Sequence, residues 1–211
     1  MNRTAKIWLL AAAILVLVGV VGFVGLIGAN RWNTGILNTD RLVSRTVDLD
    51  GSFQNISIET DTDDISFQPS QDGKCRVEFL EWEKQPHTAA VQGDTLKITA
   101  EDQRSWLDYI SVSLEGPKMT VYLPRTAYRE LNIRESTGDI AIPADFLFDT
   151  MALTVSTGDV RCAAGVTGQA QLRSSTGDFS LTDLIAGALS LSTDTGRIEL
   201  QRVDCLGDLS V

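Results

Sequence analysis

Three aspartates occupy the same place in three copies of one short motif. Asp139 in ESTGDIAI, Asp159 in VSTGDVRC and Asp178 in SSTGDFSL each follow a glycine, respectively Gly138, Gly158 and Gly177. A fourth copy, TDTGRIEL, keeps Gly196 but puts Arg197 in the aspartate place. If the copies stack, their carboxylates fall ~5 Å apart, close enough to share Ca²⁺, whose oxygen ligands sit at about 2.3–2.6 Å. The calcium-binding β-roll, however, uses paired glycines and an aspartate roughly every nine residues. Here the turn glycines recur at intervals of 20, 19 and 19, and Arg197 can offset the charge of Asp178 without a metal. The motif therefore reads as a structural turn built from Gly138, Asp139, Gly158, Asp159, Gly177, Asp178 and Gly196, with no metal and no cofactor.

Other residues able to do chemistry are few or scattered. His87 is the single histidine, which leaves imidazole triads and metal clusters little room. Beside Pro86 in a polar stretch it reads as an exposed loop residue. Cys75, Cys162 and Cys205 cannot all pair within one chain, and their spacing matches no zinc or redox motif. Glu78, Glu81 and Glu83 supply carboxylates of the kind used in glycoside hydrolysis, but no pair stands out by position. Trp82 and Trp106 could stack on sugars; FLEWEK alternates so that Phe79 points inward and Trp82 outward, and Trp106 reads as packing at a junction. No catalytic residue is assigned and an enzyme is not expected, a polysaccharide-acting one being the remotest of the alternatives.

The elements that position the turns follow from the residues around them. Seven and five places before the glycines stand Leu131 and Ile133, Met151 and Leu153, Ala170 and Leu172, Leu189 and Leu191. Two and four places after them stand Ile140 and Ile142, Val160 and Cys162, Phe179 and Leu181, Ile198 and Leu200. Both sets alternate with polar residues, the period of strands with one buried face. Each unit is then strand, turn, strand and a return segment with its own glycine, Gly168, Gly187 or Gly207. Such a unit buries its apolar face only against copies of itself, which predicts an all-β solenoid, similar to a parallel β-helix, of 19–20-residue repeats. Cys162 takes a core position in this scheme. NISIETDTDDISFQP fits as an older copy with Asp63 in the glycine place, since Ile56, Ile58, Ile65 and Phe67 fall on the four apolar offsets. CRVEFLEW, TAAVQGDTLKITA and ISVSLEGPKMTVYLP read as further strands, with Gly93-Asp94 a hairpin turn. Outward positions are polar: Asn132, Arg134, Thr154, Arg173, Ser190, Ser192 and Glu199.

Before the strands, Ile7 to Ala29 is free of charge. As a helix rising ~1.5 Å per residue it is long enough for the ~30 Å apolar core of a bilayer. A cleaved secretory signal fits less well, because the apolar stretch is long and Ile27 disturbs the small-residue cleavage pattern at Ala29. Arg3 and Lys6 precede the span and Trp8 and Trp32 flank it, which predicts a cytoplasmic N-terminus and an exported remainder. All 28 acidic residues lie beyond Asn30 while Arg3 and Lys6 account for two of the 18 basic ones, so the exported part repels nucleic acid.

Strands of the form ISIETDTDDISF, a later VYLP segment and serial STGD turns resemble a bacterial family of unknown function known as "putative adhesin" with β-strand repeats, over roughly Val47 to Val211. The resemblance implies a surface-exposed β-solenoid, in some members linked to cell-envelope stress responses, and brings no catalytic residues. The expected organisation is a cytoplasmic N-terminus at 1–6, a transmembrane anchor at 7–29, a linker at 30–46, an N-terminal β region at 47–130 and solenoid repeats at 131–211. Leu209 and Val211 align with Leu189 and Leu191, so the sequence stops inside a repeat, which reads as a fragment able to self-associate through its C-terminal edge. The expected role is a single-pass cell-membrane protein with an extracellular β domain. It would act as an adhesin or interaction module toward an envelope protein or glycan, with a regulatory sensor of envelope stress as the alternative.

Overall fold

The computed structural model of the chain describes residues 3–29, 41–101 and 116–211, with side chains of the N-terminal helix given at Trp8 and 12–25. Trp32 and Trp106 lie outside the described residues. The helix and the strands belong to two separate compact units. Helix α1 (Arg3–Ala29) is a single run of 27 residues. Among the described side chains no helical run is long and apolar enough to cross a membrane; those of 12–25 are all exposed.

In the other unit, alternating residues build two sheets. The repeats contribute a long strand followed by a short one: β8 (Ala127–Thr137) and β9 (Ile140–Ile142), β10 (Leu147–Thr157) and β11 (Val160–Cys162), β12 (Gly165–Thr176) and β13 (Phe179–Thr182), β14 (Ile185–Thr195) and β15 (Ile198–Gln201). Long strands pair in parallel in one sheet and short strands in the other, so each coil crosses from sheet to sheet through its STGD turn. The return segments are not separate elements. Gly168 and Gly187 lie within β12 and β14, and β12 absorbs one extra residue between Val166 and Gln169. The chain closes with β16 (Asp204–Cys205) and β17 (Leu209–Ser210), both on β14, with Leu209 opposite Leu189.

The upstream copy is the coil that adjoins β8 and β9. Strand β2 (Asn55–Glu59) pairs with β8 in the register Ile56↔Leu131 and Ile58↔Ile133, and β3 (Asp64–Pro69) pairs with β9 through Ile65↔Ile140. Beyond it lies another coil made later in the chain, from β6 (Thr95–Ala100) and β7 (Lys118–Leu123). The edges on this side are antiparallel: β1 (Leu42–Leu49) and β4 (Cys75–Trp82) extend the sheet past β7, and β5 (His87–Gln92) hairpins onto β6 around Gly93, whose φ is +62°. Two expected boundaries shift as a result. The first strand starts at Leu42, inside the stretch assigned to a linker, and 47–130 is not a region apart, because its strands supply two coils of the same stack.

One continuous interior lies between the sheets. Leu96, Ile56, Leu131, Met151, Ala170 and Leu189 form one row, and Met119, Ile65, Ile140, Val160 and Phe179 the facing one. Each is at most 1 % exposed. Small and large side chains alternate between the rows: the coil with Ala170 carries Phe179, and the coil with Met151 carries Val160, which holds the filled volume of successive coils nearly constant.

Candidate functional site

The turns form a ladder in which backbone and carboxylate both take part. Gly138, Gly158, Gly177 and Gly196 have φ of +153°, +145°, +146° and +148°, a region that L side chains rarely adopt. A Cβ on Gly158 would run into the Gly138 carbonyl, lying 2.6 Å from its carbon, so the coils approach more closely than any side chain permits. Between them, Gly138 N–H donates to Thr157 O and Gly158 N–H to Thr176 O, each at 2.9 Å. Every aspartate then accepts from the equivalent position of the next coil. The Asp139 N–H reaches Asp64 Oδ1 at 3.1 Å, that of Asp159 reaches Asp139 Oδ1 at 2.8 Å, that of Asp178 reaches Asp159 Oδ1 at 2.9 Å, and that of Arg197 reaches Asp178 Oδ1 at 2.7 Å. Arg161 pairs with the remaining oxygens of Asp139 and Asp159 at 3.4 and 3.3 Å. The Oδ1 atoms of Asp64, Asp139, Asp159 and Asp178 are thus each met by an N–H of the next coil, which gives the aspartates a structural role in the turns.

The outward positions form rows in register. Arg134, Thr154, Arg173 and Ser192 lie side by side on β8, β10, β12 and β14, as do Asn132, Ala152, Gln171 and Ser190. Arg134, Thr154, Arg173 and Ser192 are exposed, and so is Glu199 on the other sheet. The row is a strip of hydrogen-bonding groups about 4.8 Å apart.

His87 corrects the sequence reading: it is buried, not an exposed loop residue. It opens β5, with its ring stacked on Phe79 at a centroid distance of 5.0 Å. Its Nδ1 lies 2.8 Å from Glu81 Oε2 and its Nε2 2.9 Å from Asp63 Oδ2. Glu81 also accepts from Arg45 Nε at 2.7 Å and from the His87 backbone N–H at 2.7 Å. Burial alone would lower the affinity of His87 for a proton, but the carboxylates of Asp63 and Glu81 outweigh it and raise the pKa. For Glu81, burial is likewise outweighed, by Arg45 and His87, and the pKa is lowered. One coil further on, Glu135 turns inward: its Oε2 accepts from the Thr60 hydroxyl and its Oε1 from the Asp63 N–H at 3.2 Å. Burial, with the charge of Asp63 adding to it, pushes the Glu135 carboxyl up to about 7 against those hydrogen bonds.

An imidazole between two carboxylates has the composition of a catalytic group, yet Asp63, Glu81 and His87 are each at most 4 % exposed, beyond the reach of a substrate. Cys162 is 3 % exposed and its thiol is pushed up to about 12 by burial, which makes it an inert core residue. Trp82 is half-buried on the outer side of β4, opposite in parity to buried Phe79.

No curated protein matches the chain. Among solved structures it is similar to one described as a "putative cell adhesion protein" from Clostridium sporogenes ATCC 15579, at 10 % identity and a TM-score of 0.51, covering 80 % of this chain and 100 % of that one. Another, a "putative adhesin" from Bacteroides fragilis NCTC 9343, matches at 13 % identity and a TM-score of 0.38, covering 81 % of this chain and 96 % of that one. The first likeness extends to the fold of a whole protein. Residues 53–210 match the family profile Toastrack DUF4097, a span that includes every STGD turn and the coils on either side, and the chain belongs to that family.

Proposed function

We propose that this chain is a membrane-anchored envelope protein whose β-solenoid acts by non-catalytic binding, as an adhesin or interaction module. The observation that carries the reading is the polar strip on β8, β10, β12 and β14, where Arg134, Thr154, Arg173 and Ser192 stand exposed on a backbone fixed by the turn ladder. A rigid array loses little side-chain and backbone freedom on contact, which favours recognition of a repetitive polar surface such as a glycan or an extended protein segment. His87, Asp63, Glu81, Cys75 and Cys162 are buried, and the exposed strip offers hydrogen-bonding groups.

Two features support the anchor. Ile7 to Ala29 carries no charge and falls within the single 27-residue helix. Its described apolar side chains, among them Leu15 at 73 % and Val16 at 67 %, are exposed, an arrangement suited to lipid and costly in water. Arg3 and Lys6, before the apolar stretch, support a cytoplasmic N-terminus with the strands outside.

A photocrosslinking residue at Thr154 in living cells tests both parts. A discrete adduct is expected that forms outside the membrane and disappears when Arg134 and Arg173 are changed to Ala together. Protease added to intact wall-stripped cells should degrade the region beyond Arg31. Adducts that are cytoplasmic, or that persist unchanged without the two arginines, would refute the assignment.

A further inference from the structure

Six polar residues form one hydrogen-bonded row through the antiparallel end of the stack, Arg45 on β1, Glu81 on β4, His87 on β5, Asp63 and Thr60 in the first turn, and Glu135 on β8, the step from Asp63 to Glu135 passing through the Asp63 backbone N–H. We propose that this row is an acid-favoured latch, which holds the edge strands β1, β4 and β5 against the stack while His87 and Glu135 both carry a proton and loosens them when both protons are lost.

The hydrogen bonding requires the first proton. Glu81 Oε2 and Asp63 Oδ2 face the two ring nitrogens of His87. Ionised carboxylates only accept, so both nitrogens donate only in the imidazolium. A neutral ring leaves one buried contact with two acceptors and no hydrogen. The second proton follows from the burial of Glu135 and the charge of Asp63 beside it, which outweigh three donors that favour the ionised carboxylate. Thr60 and Asp63 face it from the first turn, Val155 is its neighbour on β10, and Thr137 N–H is its remaining donor, on its own strand. No cation contacts it among the described residues, and the Asp63 Oδ1 close to this turn is itself buried without a hydrogen-bond partner. With both protons present, Arg45 and His87 balance Glu81 and Asp63 around a neutral Glu135. Without them the row holds three carboxylates and one guanidinium, that of Arg45, which among them reaches only Glu81, so the buried Asp63 and Glu135 are left without a cation in the row.

The direction of the response follows from the shifts. His87 is raised from 6.5, so its contribution is complete below that value and lost as pH climbs through its folded pKa. Glu135 is raised from 4.5 to about 7, so its ionisation opposes the folded form as pH rises through that interval. Glu81 is lowered from 4.5, so its contribution is present above that value and fails only as pH falls through its folded pKa. The row is therefore tightest near the ordinary carboxylate value and loosens as pH rises through the folded pKa of Glu135, about 7, and that of His87. The loosening reaches the turn column, because Asp63 stands in the glycine place of the first turn and its carbonyl abuts Gly138, while Thr60 N–H donates to Arg134 O at 3.0 Å and Thr137 N–H to Asp61 O at 2.8 Å.

Hydrogen exchange of the full chain in detergent, corrected for intrinsic rates, tests the latch at pH 5.5 and pH 8 on the order of a tenfold effect. Protection of residues 42–49 and 75–92 is expected to fall about tenfold at the higher pH, relative to 147–176, and Glu135→Gln is expected to remove a large part of that fall. Because His87 is the single histidine, its ring resonances report titration in the wild-type protein, with a midpoint expected above the ordinary histidine value. Equal protection at both pH values, an unchanged fall in Glu135→Gln, or a His87 midpoint at or below the ordinary value would each overturn the latch.

Discussion

Replacing Gly158 by alanine puts a methyl group against the backbone of the neighbouring coil. The backbone at this position has φ of +145°, which costs an L residue about 1–3 kcal/mol. The new Cβ would also lie 2.6 Å from the Gly138 carbonyl carbon, and that atom is main chain with no rotamer to change. Relief requires the two coils to part, which stretches the Gly138 N–H bond to Thr157 O at 2.9 Å and the Asp159 N–H bond to Asp139 Oδ1 at 2.8 Å. Two such bonds contribute about 1 kcal/mol each. The sum is roughly 3–5 kcal/mol, or a fall in Tm of roughly 6–20 °C for a unit of this size. Thr154→Ala, at an exposed position of β10 four residues before the turn glycine, is the control and should stay within about 0.5 kcal/mol. Thermal melts of the full chain followed by circular dichroism make the comparison. Equal melting temperatures for the two variants would refute the close approach of the turns.

The aspartate ladder makes a distinction between charge and acceptor: Asp159→Ala should cost about 1 kcal/mol by leaving the Asp178 N–H without its carboxylate, whereas Asp159→Asn, which keeps an oxygen in place, should cost a few tenths. Urea titration of both variants checks this, and equal losses would mean that the charge is what matters. Chelation of divalent cations should leave the Tm unchanged, because the Oδ1 atoms are already hydrogen-bonded. A rise of many degrees in millimolar Ca²⁺ would instead place a metal in the folded column.

The stack was legible because its register is written in offsets. An inward residue must meet inward residues of both neighbouring coils, so Ile56, Leu131, Met151, Ala170 and Leu189 keep the same distance to a turn even where the turn itself has Asp63 in place of glycine. His87 was not legible, since its burial comes from Phe79, Glu81 and Asp63 and from nothing adjacent in the chain. A signal for the row existed elsewhere. In CRVEFLEW the inward parity runs Cys75, Val77, Phe79 and then Glu81. In the repeats the place three before the glycine holds Val155, Ser174 and Thr193 but also Glu135. Carboxylates on the buried parity of otherwise regular strands require a partner, and one histidine was available to provide it. The edge strand β1 carried no such mark, because its half-buried pattern is also that of a polar linker.

The strand order has a consequence for how the chain is assembled as it emerges. β2 and β3 come early, yet their neighbours on either side are β6 and β7, and β8 and β9, all made later. The coil holding Ile56 and Ile65 therefore keeps one edge open until Leu123 has arrived and the other until Ile142, so both its neighbours are in place only over the whole span from Asn55 to that point. Each coil after it needs only the next 19 or 20 residues and a finished surface to settle on. Folding of such a chain divides into one slow, long-range closure followed by quick additions in sequence order. The antiparallel end, once formed, serves as the template on which every later turn is laid.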